Sequence, residues 1–235
     1  MSELSQAAVC QEAVDRIQNS QYFRLVVFGA SNTERYLPGV HWSDILEVGI
    51  RSAFGRRFHL INSGISGNNT PDALGRFDRD VASFNPDIVV ITLGGNDCNP
   101  KPGRFVSEAD FGKNMDQIIR QIRDLGALPI LQTYYKMDLE AMDPERAKNF
   151  VRYMELVREA AVRNDVFLVD QYKYFSAVDP LVLRYKLLLN PMHTNDLGNA
   201  LIGVVLLRHF GIDPAIIDHN ENLCAAMELY KKITA

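Results

Sequence analysis

The sequence predicts an α/β protein in which a parallel sheet of five strands lies between two layers of helices. Five short apolar runs, rich in Val, Ile, Leu and Phe, are nearly uninterrupted, as expected for strands buried on both faces. Longer amphipathic segments separate these runs, and such alternation indicates parallel strands joined by helical crossovers. No repeat, low-complexity stretch or Gly/Ser/Pro-rich linker interrupts the pattern over the 235 residues.

The elements follow one another in chain order. The predicted strands are residues 23–28, 58–62, 87–93, 128–133 and 166–169. The predicted helices are residues 42–54, 71–84, 108–125, 144–163 and 196–210, with a further helix near the N-terminus and a helical tail from about residue 214. We therefore expect one domain over residues 1–235, with its core at about residues 23–210.

Composition and charge narrow the classes of partner. The net charge of -4 is mild and no block of like charges occurs, which argues against a nucleic acid or an anionic membrane as partner. Three scattered cysteines predict neither a disulfide framework nor a cysteine-rich zinc site. No apolar run approaches about 18 residues, so we expect no membrane span. The N-terminal residues contain acidic side chains and no apolar leader, which predicts a cytoplasmic protein.

Polar clusters follow three of the predicted strands. They are residues 29–34, 62–68 and 94–97, and a fourth cluster, residues 190–193, directly precedes the last predicted helix of the core. Parallel α/β sheets place their sites at the carboxyl ends of the strands. Each cluster alone is typical of a turn or a helix cap, but the four together, in this order, are much more specific.

The four clusters resemble the four sequence blocks of the SGNH (GDSL-like) hydrolases, named for the Ser, Gly, Asn and His that they contribute. The matching residues are Ser31, Gly64, Asn96 and His193. The resemblance extends from about residue 23 to residue 210. It implies a flavodoxin-like strand order and hydrolysis of a carboxylic ester through an acyl-serine intermediate, without a metal or an organic cofactor.

The resemblance also assigns a role to each of these residues. Ser31 is expected to be the nucleophile and His193 its base, because a serine hydroxyl needs a base with a pKa near neutral pH to take its proton. The backbone N–H groups of Ser31 and Gly64 and the Asn96 side-chain amide are expected to form the oxyanion hole. We expect His193 to approach Ser31 to about 2.6–3.2 Å, with the oxyanion donors facing the same small space.

The sequence departs from the family pattern at two positions. Ala30 stands where an Asp is usual, and the role of that Asp looks structural. Asn190 stands three residues before His193, where the pattern has the Asp that supports the histidine. An Asn oxygen can accept the Nδ1–H of His193 but brings no charge, and a flipped amide would favour the wrong tautomer; an Asp→Asn change in a serine protease triad lowers turnover about 10⁴-fold.

Three interpretations of Asn190 therefore remain open. The enzyme can work as a Ser–His dyad, with His193 oriented by Asn190 or by a backbone carbonyl. Another carboxylate can take the role of the missing Asp, and Asp196 is the candidate, although an acidic residue in a first helical turn is also favoured by the helix dipole. Catalysis can also be impaired, which would leave a ligand-binding protein on the same scaffold.

We expect mainly structural roles for the other candidate residues. We expect Asp87 and Asp170 to serve as turn or cap residues and Asp97 to brace the loop of Asn96. Aromatic residues follow the fourth and fifth strands and either line a substrate pocket or pack at its rim. They are Tyr134, Tyr135, Tyr172, Tyr174 and Phe175. None of the five histidines has metal-ligand spacing to another His or to a Cys.

The sequence leaves the substrate open among short acyl esters, acetylated carbohydrates, lysophospholipids and thioesters. No long apolar lid or cap insertion interrupts the domain, which favours a small, acetyl-like acyl group. The expected partner is a small-molecule ester, with no nucleic acid. The segment from about residue 214 to the end can dock on a partner subunit, so an oligomer is possible.

Overall fold

A computed structural model describes residues 8–35, 39–55, 57–217 and 220–235. Its centre is a parallel sheet of five strands in the order β2-β1-β3-β4-β5, which is the flavodoxin-like order that the resemblance implies. The strands are β1 (Phe23–Gly29), β2 (Phe58–Gly64), β3 (Ile88–Thr92), β4 (Leu128–Gln132) and β5 (Phe167–Val169). The predicted fold class is therefore correct.

Ten α-helices lie within the described residues. They are α1 (Gln11–Asn19), α2 (Trp42–Phe54), α3 (Thr70–Gly75), α4 (Phe77–Asp80), α5 (Glu108–Asp124), α6 (Pro144–Arg163), α7 (Gln171–Ser176), α8 (Pro180–Val182), α9 (Asp196–His209) and α10 (Glu221–Thr234). Helix α9 packs against α2 and α10, whereas α5 packs against α3 and α6. The sheet thus has a layer of helices on each face.

The strands are apolar because both of their faces are covered. Every residue of β3 is buried, and Val26 and Val27, which point to opposite faces of β1, are completely inaccessible to solvent. In the sheet register, Gly29 at the end of β1 pairs with Gly64 of β2 and with Thr92 of β3. The carboxyl ends of these three strands therefore meet at one edge, and the polar clusters that follow them are brought together there.

Two regions differ from the sequence prediction. The predicted helix 71–84 consists of α3, α4 and a 3₁₀ turn at Ala82–Phe84, because the chain leaves helical geometry at Arg76, whose side chain turns into the core. A two-stranded antiparallel hairpin precedes α9, with strands β6 (Leu188–Asn190) and β7 (His193–Thr194). No strand is predicted from the sequence between residues 169 and 196.

The C-terminal tail packs on its own chain. Helix α10 lies against α9, and Tyr230 of α10 stacks on Tyr174 of α7 with ring centroids 5.8 Å apart. Asp218 and His219 of the predicted helical tail lie outside the described residues. Docking of this segment on a partner subunit stays a prediction, as does the single-domain organisation.

Candidate active site

Ser31 lies in a tight turn that begins where β1 ends. A side chain at Gly29 would place its Cβ 2.2 Å from Thr33 Oγ1 and 2.7 Å from the Thr92 carbonyl, so only glycine allows this close return of the chain. The backbone N–H groups of Thr33 and Glu34 both donate to the carbonyl of Ala30. The Ala30 side chain is completely buried, so a small apolar residue fits the position where the family pattern has Asp. The turn exposes Ser31 at the edge of the sheet.

The hairpin explains the three-residue spacing between Asn190 and His193. These two residues pair directly across β6 and β7, with Pro191 and Met192 at the tip. Opposite residues of an antiparallel pair carry neighbouring side chains. Asn190 Oδ1 accordingly lies 3.0 Å from His193 Nδ1.

Two backbone hydrogen bonds fix which end of the Asn190 amide faces the histidine. Asn190 Oδ1 accepts the N–H groups of Met192 and of His193, each at 3.0 Å. A flipped amide would direct its NH₂ group at these two donors and lose both bonds, so the oxygen is the atom held towards His193. Nδ1 then carries the ring hydrogen and donates a hydrogen bond to Asn190 Oδ1. Nε2 has no hydrogen and is therefore the acceptor.

His193 Nε2 lies 3.0 Å from Ser31 Oγ, within the distance range that the sequence analysis gives. With the tautomer set by Asn190, the serine hydroxyl is the donor and Nε2 the acceptor. Burial lowers the pKa of His193 below its ordinary value, and the charge of Arg146 lowers it further. A histidine with a lowered pKa remains neutral, and therefore able to take a proton, to a lower pH.

Tyr135 joins the Ser31 turn to the His193 hairpin. Its buried hydroxyl lies 2.8 Å from Asn32 Oδ1 and 2.8 Å from the Met192 carbonyl, and it accepts the N–H of Thr194 at 3.1 Å. The residue after the nucleophile and the residues on both sides of His193 are therefore held by one phenol group. The sequence shows only an aromatic pair after the fourth strand and gives no sign of this connection.

The structure corrects the expectation for Gly64. Its backbone N–H donates to Asn62 Oδ1 at 3.0 Å, so it is not available to an oxyanion. A Cβ at this position would lie 2.2 Å from the Glu34 nitrogen and 2.5 Å from the Thr33 carbonyl carbon. Glycine stands here because β2 ends against the backbone of the Ser31 turn, which is a packing reason.

Three other groups on this side retain hydrogens that they can donate. Within the described ranges, the backbone N–H groups of Ser31 and Gly67 donate to no protein acceptor. Gly67 has φ +79°, in the left-handed region that favours glycine. The Asn96 side-chain nitrogen donates one hydrogen to the Asn68 carbonyl at 2.9 Å, which leaves its second hydrogen.

Buried polar side chains support these loops. Arg76 donates to the carbonyls of Gly29 and Ser63 at 2.8 and 2.9 Å and to Asn68 Oδ1 at 2.6 Å, so it ties together the ends of β1 and β2 and the loop that follows. Asp97 Oδ1 accepts the backbone N–H and the hydroxyl of Thr70 at 2.8 and 2.6 Å. A bracing role for Asp97 is expected from the sequence, whereas Arg76 is in a predicted helix and has no sequence signal for its role.

The remaining candidates have structural contacts. Asp87 accepts the N–H of Arg24 at 2.7 Å, and Asp170 caps α7 and binds Arg158 at 2.7 Å. Asp196 makes no hydrogen bond to His193 and lies instead in the wall of a cleft beside it. The aromatic residues after β4 and β5 are buried or partly buried packing residues.

The described residues contain neither a candidate metal-ligand cluster nor a candidate membrane-spanning helix. Over residues 8–35, 39–55, 57–217 and 220–235, no group of three or more His, Cys, Asp or Glu side chains is arranged to hold a metal ion. His219 lies outside these ranges. No helix within the same ranges has the length and apolar character needed to cross a membrane.

The fold and the site's geometry agree with the family comparison. Residues 27–201 match the GDSL-like lipase/acylhydrolase family, which is most of the chain. The chain therefore belongs to this family of ester-hydrolysing enzymes. The match includes all four polar clusters.

Individual relatives are acetylxylan esterases and a lipoprotein. The chain is 30% identical to the uncharacterized lipoprotein YqeF of Bacillus subtilis, over 67% of this chain and 74% of the relative. It is 25% identical to an acetylxylan esterase of Geobacillus stearothermophilus, over 79% and 84% of the two chains. Because one relative is a lipoprotein, the cytoplasmic location stays a prediction.

Solved structures show the same fold. A catalytic serine mutant of the Geobacillus stearothermophilus acetylxylan esterase superposes with a TM-score of 0.70 at 20% identity, covering 84% of this chain and 98% of that one. Two further catalytic mutants of that esterase carry Ala in place of an Asp and in place of a His three positions after it.

Proposed function

We propose that the protein hydrolyses short-chain carboxylic esters through an acyl-Ser31 intermediate, with His193 as base and Asn190 as its neutral orienting partner. The observation that carries this proposal is the continuous chain of hydrogen bonds from Ser31 Oγ through both ring nitrogens of His193 to Asn190 Oδ1, each at 3.0 Å. This is the arrangement that nucleophilic catalysis requires: a nucleophile, a base within reach and a third group that orients the base.

The first half of the reaction forms the acyl-enzyme. His193 Nε2 takes the proton of Ser31 as Oγ attacks the ester carbonyl, and the carbonyl oxygen becomes negatively charged. We assign its stabilisation to the N–H groups of Ser31 and Gly67 and the free hydrogen of the Asn96 amide, with Gly67 in place of the originally expected Gly64. Protonated His193 then gives its proton to the departing alcohol.

The second half releases the acid. Water loses a proton to His193 Nε2 and attacks the acyl-serine carbonyl, and Ser31 leaves with the proton that His193 returns. Through both halves the imidazolium is stabilised by the Asn190 oxygen as a dipole and not as a charge. Burial lowers the pKa of His193, which favours its neutral, proton-accepting form between the steps.

A small, acetyl-like acyl group carried on a carbohydrate is the substrate class that we favour. One curated relative and several structural neighbours act, by their names, on acetylated xylan or acetylated xylo-oligosaccharides. An open cleft adjoins Ser31 and His193, and the polar side chains of Glu34, Asp196 and Asn199 contribute to a lining that also contains Val40 and Leu189. These polar groups can bind the hydroxyl groups of a sugar. A lysophospholipid would need a longer apolar channel for its acyl chain.

The test is a panel of p-nitrophenyl esters of increasing acyl length, assayed with the wild type and Ser31→Ala. We expect the acetate to be the best substrate, Ser31→Ala to be inactive, and a fluorophosphonate to label Ser31 in the wild type. Full activity in Ser31→Ala, or labelling of a different residue, would contradict the mechanism. A wild type without activity on any ester would favour a ligand-binding protein on this scaffold.

A further inference from the structure

An open cleft of about 270 Å³ begins at Ser31 and His193 and continues along the start of α9. We call it the alcohol cleft and define it by Glu34, His41, His193, Asp196 and Asn199, which contribute polar groups to its lining. Neither Asn96 nor Gly67 belongs to this lining. The cleft therefore extends from the histidine side of Ser31, away from the groups that we assign to the oxyanion.

The position of His193 decides which part of an ester enters this cleft. In the proposed reaction the protonated histidine hands its proton to the oxygen of the departing alcohol, so that oxygen must lie next to Nε2. The carbonyl oxygen lies on the opposite side, at the oxyanion donors. The space that opens beyond His193 is therefore the place of the alcohol.

The ionisable acids in the lining of the alcohol cleft are Glu34 and Asp196. Among the described lining residues there is no Lys or Arg. Burial lowers the pKa of His41 to about 4, so this histidine is neutral at neutral pH. Arg35, at the end of the Ser31 turn, binds Asp44 through Nε at 2.8 and 3.0 Å.

Asp196 is an acceptor that no residue in the described part of the chain uses. Glu34 accepts the Ser66 N–H at 2.9 Å, whereas the Asp196 carboxyl accepts no hydrogen bond from any residue in the described part of the chain. Its oxygens lie against Gly39, where a Cβ would approach Oδ1 to 2.5 Å. Asn199, three residues further along α9, shares its helix face and uses its NH₂ group on the Asn195 carbonyl, which leaves its oxygen as a second acceptor.

We propose that the alcohol cleft binds a neutral, hydroxyl-rich alcohol and that Asp196 accepts hydrogen bonds from its hydroxyl groups. Hydroxyl groups supply the donors that Asp196 and Asn199 need, and an uncharged polyol loses nothing to repulsion. An alcohol that carries a carboxylate or a phosphate meets the carboxyl groups of Glu34 and Asp196 and no Lys or Arg among the described lining residues, so the cleft selects against it. This inference rests on the proposed function, because it needs the alcohol to leave past His193.

The experiment compares three acetyl esters: p-nitrophenyl acetate, a neutral acetylated xylo-oligosaccharide, and an acetylated oligosaccharide of uronic acid. The variants are Asp196→Asn and Asp196→Ala. Glu221→Gln is the matched control, because Glu221 is the acidic first residue of α10 behind an Asn cap, as Asp196 is in α9 behind Asn195. A general loss of stability from removing an acidic first-turn residue should appear in both.

For the neutral oligosaccharide we expect Asp196→Ala to lower kcat/KM by about 10- to 100-fold, as for the loss of a hydrogen bond to a charged group. With p-nitrophenyl acetate, which offers no hydroxyl, the change should stay within about threefold. Asp196→Asn should narrow the preference for the neutral over the uronic ester, and Glu221→Gln should change none of these values.

Three results would overturn the inference. They are an unchanged kcat/KM of Asp196→Ala on the neutral oligosaccharide, an equal loss on p-nitrophenyl acetate, and a wild type that prefers the uronic ester. Failure of the proposed function looks different, because a wild type as inactive as Ser31→Ala on p-nitrophenyl acetate would remove the acyl-serine mechanism itself.

Discussion

Asn190 and Asn96 are two asparagines of the candidate site, but the structure uses opposite ends of their amides. Asn190 directs its oxygen to His193, and this oxygen also receives two backbone N–H groups. Asn96 directs its nitrogen to the Asn68 carbonyl, and the second hydrogen of its amide remains. One amide acts through its acceptor and the other through its donor.

The difference teaches that backbone partners decide what an amide side chain can do. At Asn190 the two N–H groups of the hairpin tip would be left unpaired if the amide turned over, so the hairpin itself selects the oxygen. At Asn96 a carbonyl selects the nitrogen. An Asp at position 190 would bind the same N–H groups and add charge, whereas an Asp at position 96 would face the Asn68 carbonyl with an acceptor.

The largest effect is expected at the histidine that Asn190 orients. His193→Ala removes the base and should lower kcat about 10⁴-fold or more, as loss of the histidine does in other serine hydrolases. His59→Ala is the control, since His59 is exposed in β2. Measured turnover of p-nitrophenyl acetate by His193→Ala within about tenfold of the wild type would contradict the assignment.

On the Asn96 side, Asn96→Ala should lower kcat about 10²- to 10³-fold with little change in KM, because an oxyanion donor acts in the transition state. Asn96→Asp should be at least as damaging, since it places an acceptor where the donor is needed. A thermal denaturation curve of each variant shows whether the loss of kcat is caused by unfolding. A rise in KM at unchanged kcat would mean that Asn96 binds substrate and does not stabilise the oxyanion.

A smaller effect is expected at Tyr135, which holds the Asn190 hairpin to the Ser31 turn. Tyr135→Phe removes one hydroxyl and three contacts and should lower kcat by up to about tenfold, because the loss of a typical hydrogen bond amounts to about 0.5–1.5 kcal/mol. Tyr134→Phe is the matched control: Tyr134 precedes Tyr135 in the chain and is equally buried, but its hydroxyl makes none of these three contacts. Equal losses in both variants would indicate a general packing effect.

The parts of the fold that the sequence predicts are those set by local pattern. Helices 42–54 and 144–163 are found at the predicted bounds, because a capping residue precedes each and an amphipathic pattern continues throughout. The strands follow from uninterrupted apolar runs. The break near Arg76 has no local signal, because the side chain is drawn inward by carbonyls of β1 and β2, which are distant in sequence.

The site, too, contains features that depend on side-chain contacts in the folded protein and that the motifs do not indicate. The motifs indicate Ser31, Asn96 and His193, and the structure brings Ser31 and His193 together. Gly64 matches the glycine block, but the hydrogen bond of its N–H to Asn62 depends on where the side chain of a neighbouring residue points, which the motif does not encode. The role of Tyr135 depends on three segments that meet only in the folded chain.

The smallest effect is expected when Asn190 receives the charge that it lacks. Asn190→Asp should change kcat less than about tenfold near neutral pH, because the oxygen that faces His193 is already in place. The new charge should raise the pKa of His193, which burial now holds below its ordinary value. A higher pKa leaves the histidine protonated over more of the acidic range, so the acid limb of the pH profile should move to higher pH.

The central claim is that a neutral Ser31–His193–Asn190 arrangement is a working catalyst. The most direct test is kcat/KM for p-nitrophenyl acetate from about pH 5 to about pH 9 with the wild type, Ser31→Ala and Asn190→Asp. We expect the wild type to exceed Ser31→Ala by at least about 10³-fold and to lie within about tenfold of Asn190→Asp at the plateau. A wild type indistinguishable from Ser31→Ala, with activity that appears only in Asn190→Asp, would contradict the claim.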